Sequence, residues 1–216
     1  MLTAADGIVG IDLAGSPRRA TGFCLLRAGV ITTSVLFSDL EILEAVKSAR
    51  PEVVAIDAPL SLPPGRRHIE DRRGSHFRSC DLALRQKGIR FFPITLGPMR
   101  LLTTRGRHLA RLMRKAGCRV IEVYPGGAQD IWGLPRARRD RKALALGLKK
   151  LASEKFSLRL QEGATPWLEM TADELDAVAA ALVGLLYIQD QAELYGKGKK
   201  IIVMPPGGNR EKHRLR

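Results

Sequence analysis

The chain has few cysteines and no long hydrophobic run, and each shortage excludes a class of protein. Its three cysteines, Cys24, Cys80 and Cys118, are an odd number without C-x-x-C spacing, which argues against a disulfide framework and against a zinc site. No window of about 18 residues is both uncharged and apolar, and Asp6 interrupts the N-terminus before a signal-peptide core can form. We therefore expect a cytoplasmic protein without a membrane span.

Negative charge is also scarce. The 216 residues include 36 Lys and Arg against 22 Asp and Glu, which gives a formal net charge of +14 and a pI near 10.3. Such an excess favours nucleic acid as a partner, through Coulombic attraction and counterion release. A generally basic proteome is the competing explanation, and charge alone does not decide between the two. The length and the 45% hydrophobic content suit one α/β domain with a real core.

Two of the acidic residues close apolar runs that are typical of buried strands. Asp12 follows the run 8–11, and Asp57 follows the run 53–56. Two further strands and a helix that begins at a Ser38 capping box lie between them, with short connections typical of an antiparallel meander. A strand, helix, strand crossover predicts that the two acidic strands pair in parallel. We therefore expect Asp12 and Asp57 at the same edge of the sheet.

Two more carboxylates lie one turn apart at the start of an Ala-rich helix. A second capping box at Thr171 opens this helix, which we predict to continue to about Ile188. Asp173 is explained equally well by the helix dipole, whereas Asp176 lies too far into the helix for that. For Asp12 and Asp57 the competing role is turn formation.

Glu122 lies inside the strand predicted over 119–124, where a charge is costly unless it is paired. It is either a metal ligand or the partner of an arginine, and the sequence leaves both open. Carboxylate oxygens suit hard cations, and two such ions can clamp a phosphodiester during in-line displacement. We therefore predict a site for Mg²⁺ or Mn²⁺ held by Asp12, Asp57 and Asp176. The full set of candidate catalytic residues is Asp12, Asp57, Asp173, Asp176 and Glu122.

Residues 58–118 read as a basic insertion over the edge of the sheet. From residue 66 to residue 115 there are fourteen Lys and Arg against three acidic residues, and we expect helices near 77–87 and 105–116. The candidate contacts to nucleic acid in this segment are Arg72, Arg73, Arg78 and Arg85. The predicted organisation is one domain over residues 1–206, followed by a disordered basic tail over 207–216. A further helix is predicted over 136–151, and a last edge strand over 201–204.

At this point the motifs resemble a known superfamily. Residues 10–16, Gly-Ile-Asp-Leu-Ala-Gly-Ser, are similar to the first strand of RuvC-type resolvases in the RNase H-like superfamily. Residues 51–57 look like their second acidic strand, which usually carries Glu where this chain has Asp57. The Asp173-Glu-Leu-Asp176-Ala-Val-Ala segment resembles their closing helix.

A closer resemblance is to a domain-of-unknown-function family of predicted RNase H-like nucleases. That family carries the Asp57-Ala58-Pro59 turn, the Arg78-Ser79-Cys80-Asp81 element, the Glu122-Val123-Tyr124-Pro125 element and the D-x-x-D-A helix. These motifs follow one another in the family's order and cover most of residues 7–188. The resemblance implies an α/β fold with a mixed five-stranded sheet in the order 3-2-1-4-5, flanked by helices. It also implies two-metal phosphodiester hydrolysis with Asp12 bridging the ions.

Two other functions remain open at this stage. One is a catalytically silent nucleic-acid-binding protein that kept the fold. The other is an actin-like phosphotransferase, whose first phosphate loop is also a strand followed by Asp, Gly and Ser or Thr; that fold needs a second copy of the unit, and the 216 residues contain no such repeat. The sequence does not define the oligomeric state, and a homodimer is compatible with it.

Overall fold

A six-stranded mixed sheet forms the centre of the computed structural model, which describes residues 7–198 and 200–207. Its strands are β1 (Ile8–Asp12), β2 (Thr21–Arg27), β3 (Val30–Leu36), β4 (Val53–Asp57), β5 (Arg119–Glu122) and β6 (Arg159–Leu160). The order is β5-β4-β1-β2-β3-β6. The first three strands are antiparallel neighbours, whereas β4 pairs in parallel with β1 and β5 pairs in parallel with β4. The α/β class and the predicted order of five strands are confirmed, and β6 is an addition beyond β3.

Six helices within the described part of the chain accompany the sheet. They are α1 (Asp39–Ala49), α2 (Ser79–Gln86), α3 (Gly97–Lys115), α4 (Pro125–Trp132), α5 (Ala137–Phe156) and α6 (Ala172–Ile188). Both predicted capping boxes are present, at the start of α1 and at the start of α6. Helix α3 begins at Gly97, well before the predicted residue 105. Helix α4 was not predicted, because Pro125 and its two following glycines resemble a turn, whereas proline is equally suited to a first helical turn.

The helices cover both faces of the sheet. Alternate strand residues such as Ile8 and Ala55 share one core with α5 and α6. Their neighbours Val9 and Ile56 share the other core with α1 and α3. Burial on both sides explains why these strands are continuous apolar runs and do not alternate with polar residues.

Glycines let α6 lie unusually close to β1 and β2. A Cβ atom on Gly10 would overlap the backbone of Ala177, and one on Gly22 would overlap the backbone of Asp173. Only glycine permits this approach of helix backbone to strand backbone. The first turn of α6 is therefore held directly above the carboxyl end of β1.

The last described strand differs from the prediction. Residues Lys200–Met204 form β8, which pairs with β7 (Glu193–Lys197) in a separate hairpin and contacts the main sheet through one bridge between Val123 and Val203. Helix α2 packs on this hairpin. The predicted tail lies outside the described residues from 208 onwards, and the boundary at residue 206 stays a prediction. No helix within 7–198 and 200–207 is long and apolar enough to cross a membrane.

Candidate active site at the ends of two parallel strands

The ends of β1 and β4 bring two carboxylates together. Their last residues, Asp12 and Asp57, are Cα partners in the parallel ladder. Paired residues of neighbouring strands point to the same face of a sheet, and so do residues two apart in one strand. Because Gly10 lies against Ala177 of α6, Asp12 and Asp57 both point to the face that α6 covers.

The first turns of α6 add two more carboxylates to this edge. Thr171 caps the helix by accepting a hydrogen bond from the backbone N–H of Glu174, and the Glu174 carboxylate accepts one from the backbone N–H of Thr171. The cap fixes where the helix begins, and the close approach at Gly22 fixes its height above the sheet. Asp173 and Asp176 consequently lie beside the ends of β1 and β4.

The charges at this edge act on one another. Burial raises the pKa of Asp12 well above its ordinary range, and three neighbouring carboxylates raise it further. Those neighbours are Asp57, Asp176 and Asp173, in decreasing order of effect. The exposed Arg19 opposes them. The pKa of Asp12 is thus raised by every other carboxylate of the group.

Burial raises the pKa of the other three carboxylates too. For Asp57, the charges of Asp176 and Glu122 add to the effect of burial. Burial raises the pKa of Asp176 to about 6, with a smaller contribution from Asp173. Burial also raises the pKa of Asp173, and the neighbouring Glu174 adds to it. Acids whose pKa values are raised by burial and by neighbouring charges are common at functional sites.

The sequence analysis did not identify two further residues at this edge. Gln129 of α4, which is fully buried, donates a side-chain hydrogen bond to Asp176 and lowers the pKa of that carboxyl. Arg136 precedes α5, and its charge lowers the pKa of both Asp57 and Asp176. Its guanidinium is held by Asp130, with an Nη2 to Oδ2 distance of 2.6 Å. Neither residue carries a local motif, and α4 itself was not predicted.

Glu122 is the partner of an arginine, which is one of the two roles that the sequence left open, and its charge also raises the pKa of Asp57. It is the Cα partner of Ile56, whose side chain lies in the core on the α1 and α3 side. Its register therefore places Glu122 on the opposite face from Asp57. Its carboxylate, only 7% exposed, lies 2.8 Å from Nη1 of Arg78 and accepts a hydrogen bond from the backbone N–H of Leu60.

Arg78 is a correction to the predicted nucleic-acid contacts. Its side chain is 2% exposed, and it donates two hydrogen bonds to Asp81, from Nη2 at 2.8 Å and from Nε at 3.1 Å. With Glu122 on its remaining side, the guanidinium has no free edge for a phosphate. The ion triad instead ties the start of α2 to the end of β5.

The remaining predicted contacts lie at the surface. Arg72, Arg73 and Arg85 are exposed, and the Arg85 guanidinium lies 5.4 Å from the centre of the Phe77 ring. Arg105, by contrast, is a second buried arginine of the basic insertion and pairs with Asp39. The positive surface of this segment is therefore smaller than its count of arginines indicates.

Asp12, Asp57, Asp173 and Asp176 together form the carboxylate edge. Its donor chemistry fits a hard divalent cation. All of its acidic groups offer oxygen, which suits Mg²⁺ and Mn²⁺, and no cysteine or histidine belongs to the group. Across residues 7–198 and 200–207, no group of three or more His, Cys, Asp or Glu side chains is arranged closely enough to count as an assembled metal site. Asp57, Asp176 and Asp173 all lie near enough to Asp12 to raise its pKa.

Comparisons with known proteins identify the family. The model described as "Protein of unknown function (DUF429)" matches residues 10–200, and no curated protein matches the chain significantly. Among solved structures, the yeast mitochondrial Holliday junction resolvase Ydc2 is similar at 12% sequence identity and a TM-score of 0.44, over 84% of this chain and 80% of that one. The likeness to Ydc2 is too weak to carry an argument about function. Because the family model covers most of its length, the chain belongs to the DUF429 family, as its motifs predict.

Proposed function

We propose that the protein is a metal-dependent nuclease that hydrolyses phosphodiester bonds of nucleic acid. The observation that carries the proposal is the convergence of four carboxylates on one sheet edge in a chain of net charge +14. A protein that only bound nucleic acid through its surface charge would gain nothing from mutually repelling acids beside the substrate. A hydrolase that holds cations needs them there.

The chain's residues divide the work as follows. Asp12, whose pKa is raised by all three other carboxylates, would hold the ions together with Asp57 and Asp176. Asp173 supplies further negative charge at the rim. Two bound Mg²⁺ or Mn²⁺ ions would lower the pKa of the attacking water and stabilise the leaving oxygen. Gln129 orients Asp176 by its hydrogen bond, as supporting residues commonly do for metal ligands.

The test is a cleavage panel with the purified chain. Single-stranded, duplex, flap and four-way-junction substrates of DNA and RNA are incubated with Mn²⁺ or Mg²⁺, and parallel samples contain EDTA. We expect strand cleavage that requires the divalent ion and stops on chelation. Tight binding of nucleic acid without cleavage of any substrate would contradict the proposal and favour the catalytically silent binding protein.

The basic surface gives a separate prediction about salt. Replacing the exposed Arg72, Arg73 and Arg85 with Gln should flatten the plot of log affinity against log salt concentration for duplex DNA. If all three contact phosphates, the slope falls by up to about 2.7 units, since each neutralised phosphate contributes about 0.9. Fluorescence anisotropy over a salt series measures it.

A matched control removes the same charge from α5. It replaces three exposed lysines with Gln: Lys142, Lys149 and Lys155. We expect this variant to keep the wild-type slope. If the slope changes equally in both triple variants, the positive charge acts without a localised contact surface. If the slope of the arginine variant is unchanged, the phosphate contacts lie elsewhere on the protein.

A further inference from the structure

A cavity of about 370 Å³ opens beside the carboxylate edge. Asp57, Asp176, Phe91 and Phe92 are among the residues that line it. Its volume falls within the range of small-molecule pockets, which are largely apolar with a few placed polar groups. A groove that only followed a phosphate backbone would need cations along its length and no such apolar cavity.

Aromatic side chains are part of the cavity's lining. Phe92 is 61% exposed although it is a large apolar residue. Phe91 is partly buried and meets Phe77 edge-on, with ring centroids 6.1 Å apart and an interplanar angle of 88°. Tyr124 also lines the cavity and donates a hydrogen bond of 2.6 Å to the backbone carbonyl of Arg90. Phe91 and Tyr124 are therefore held by neighbouring residues, whereas the side chain of Phe92 is open to solvent.

Arg136 and Arg138 line the same cavity. Arg136 stacks over Tyr124, with its guanidinium carbon 5.4 Å from the ring centre, and also donates a hydrogen bond of 2.8 Å to the Tyr124 hydroxyl. Arg138, two residues further, is exposed. A cavity lined by aromatic rings, arginines and carboxylates offers a group for each part of one nucleotide. These parts are a flat base, a phosphate and the bond to be cut.

We infer that this cavity accepts one unpaired nucleobase of the substrate, stacked on Phe92, while the exposed Arg138 holds the adjoining phosphate beside Asp57 and Asp176. The inference rests on the proposed nuclease function and narrows its substrate class to single-stranded nucleic acid. A base within a continuous duplex is stacked and paired on both sides, so it could enter only by being extruded, which costs free energy. Stacking on an aromatic ring is tolerant of sequence because every base has a flat π-face.

The experiment compares Phe92→Ala with the wild type in binding a fluorescent single-stranded oligonucleotide and the duplex of the same sequence, without divalent ions. We expect Phe92→Ala to lower the affinity for the single strand by about 5- to 150-fold, the range that corresponds to one base–aromatic stack. The affinity for the duplex should stay unchanged. Phe92→Trp should retain the single-strand affinity because it keeps a stacking surface.

Leu40→Ala is the matched control, because Leu40 is a similarly exposed apolar residue at 65% on α1, where it does not line the cavity. An equal loss for single strand and duplex in Phe92→Ala, or no loss at all, would overturn the inference. Because the assay needs no cleavage, it separates the two proposals. If Phe92→Ala weakens only single-strand binding and the wild type cleaves no substrate, the base pocket is supported and the nuclease proposal is rejected. If the wild type cleaves nucleic acid but Phe92→Ala shows no selective loss, the nuclease proposal stands and the base pocket is rejected.

Discussion

Replacing Asp12 with Asn is expected to lower metal-dependent cleavage by more than about 100-fold. Residues that only support a metal ligand typically contribute 10- to 100-fold to affinity or activity, so a direct ligand should contribute at least as much. Asn keeps the shape of the side chain but lacks the charge that holds cations. Initial rates with Mn²⁺ on the preferred substrate of the cleavage panel measure the effect.

The same substitution should stabilise the metal-free protein. Asp12 is half-buried beside three carboxylates that raise its pKa, and a neutral isostere removes their repulsion at neutral pH. Each kcal/mol gained raises the melting temperature of a chain of this size by about 2–4 °C. In saturating Mn²⁺ the wild type should melt at the higher temperature. A ligand that binds only the folded state stabilises it by mass action, and Asp12→Asn would bind the ion weakly.

Asp190→Asn provides the control. Asp190 is exposed beyond the far end of α6, in a left-handed conformation (φ of 55°) that Asn also tolerates. This variant should match the wild type in cleavage and in both melting temperatures. If Asp12 only formed a turn, Asn at position 12 would form the same turn equally well. Wild-type cleavage by Asp12→Asn would therefore reject it as a ligand.

The sheet was predictable because its signals are local. Apolar runs, short connections and two capping boxes specify the first four strands and their order without reference to distant residues. The two-residue strand β6 has no such signal. Its pairing depends on a hydrogen bond from the Arg159 backbone N–H to Gly29. The run 201–204 was correctly predicted as a strand, but an apolar pattern does not specify its partner, and Lys200–Met204 pairs with Glu193–Lys197.

In the site, too, residues with local sequence signals were predicted, whereas contacts between residues distant in the sequence were not. Asp12 and Asp57 were predicted together because each closes a strand of a parallel pair. Gln129 reaches Asp176 across 47 positions, and Arg78 reaches Glu122 across 44, which no local pattern reveals. Arg78 was assigned to the surface since its segment is rich in arginine. The signal that was available is Glu122 itself, because a carboxylate inside a strand requires a cation.

Replacing Arg78 with Met is expected to produce the largest loss of stability among these variants. Met has similar bulk and no charge, so Asp81 and Glu122 would remain buried without their shared cation. Breaking a buried ion pair from one side typically costs 3–5 kcal/mol, because it leaves an uncompensated charge. In a chain of this size that corresponds to a melting temperature lower by about 6–20 °C. Chemical denaturation and thermal melting both measure it.

Arg85→Met tests whether the loss comes from the buried pairing or from removing any arginine of α2. Arg85 lies on the same helix but is exposed, so its replacement should change the free energy of unfolding by less than about 1 kcal/mol. A double variant, Arg78→Met with Glu122→Gln, should recover part of the loss, since it removes one of the two orphaned charges. Equal melting temperatures for Arg78→Met and Arg85→Met would mean that the triad does not hold α2 against β5. In that case Arg78 would again be available as a contact for nucleic acid.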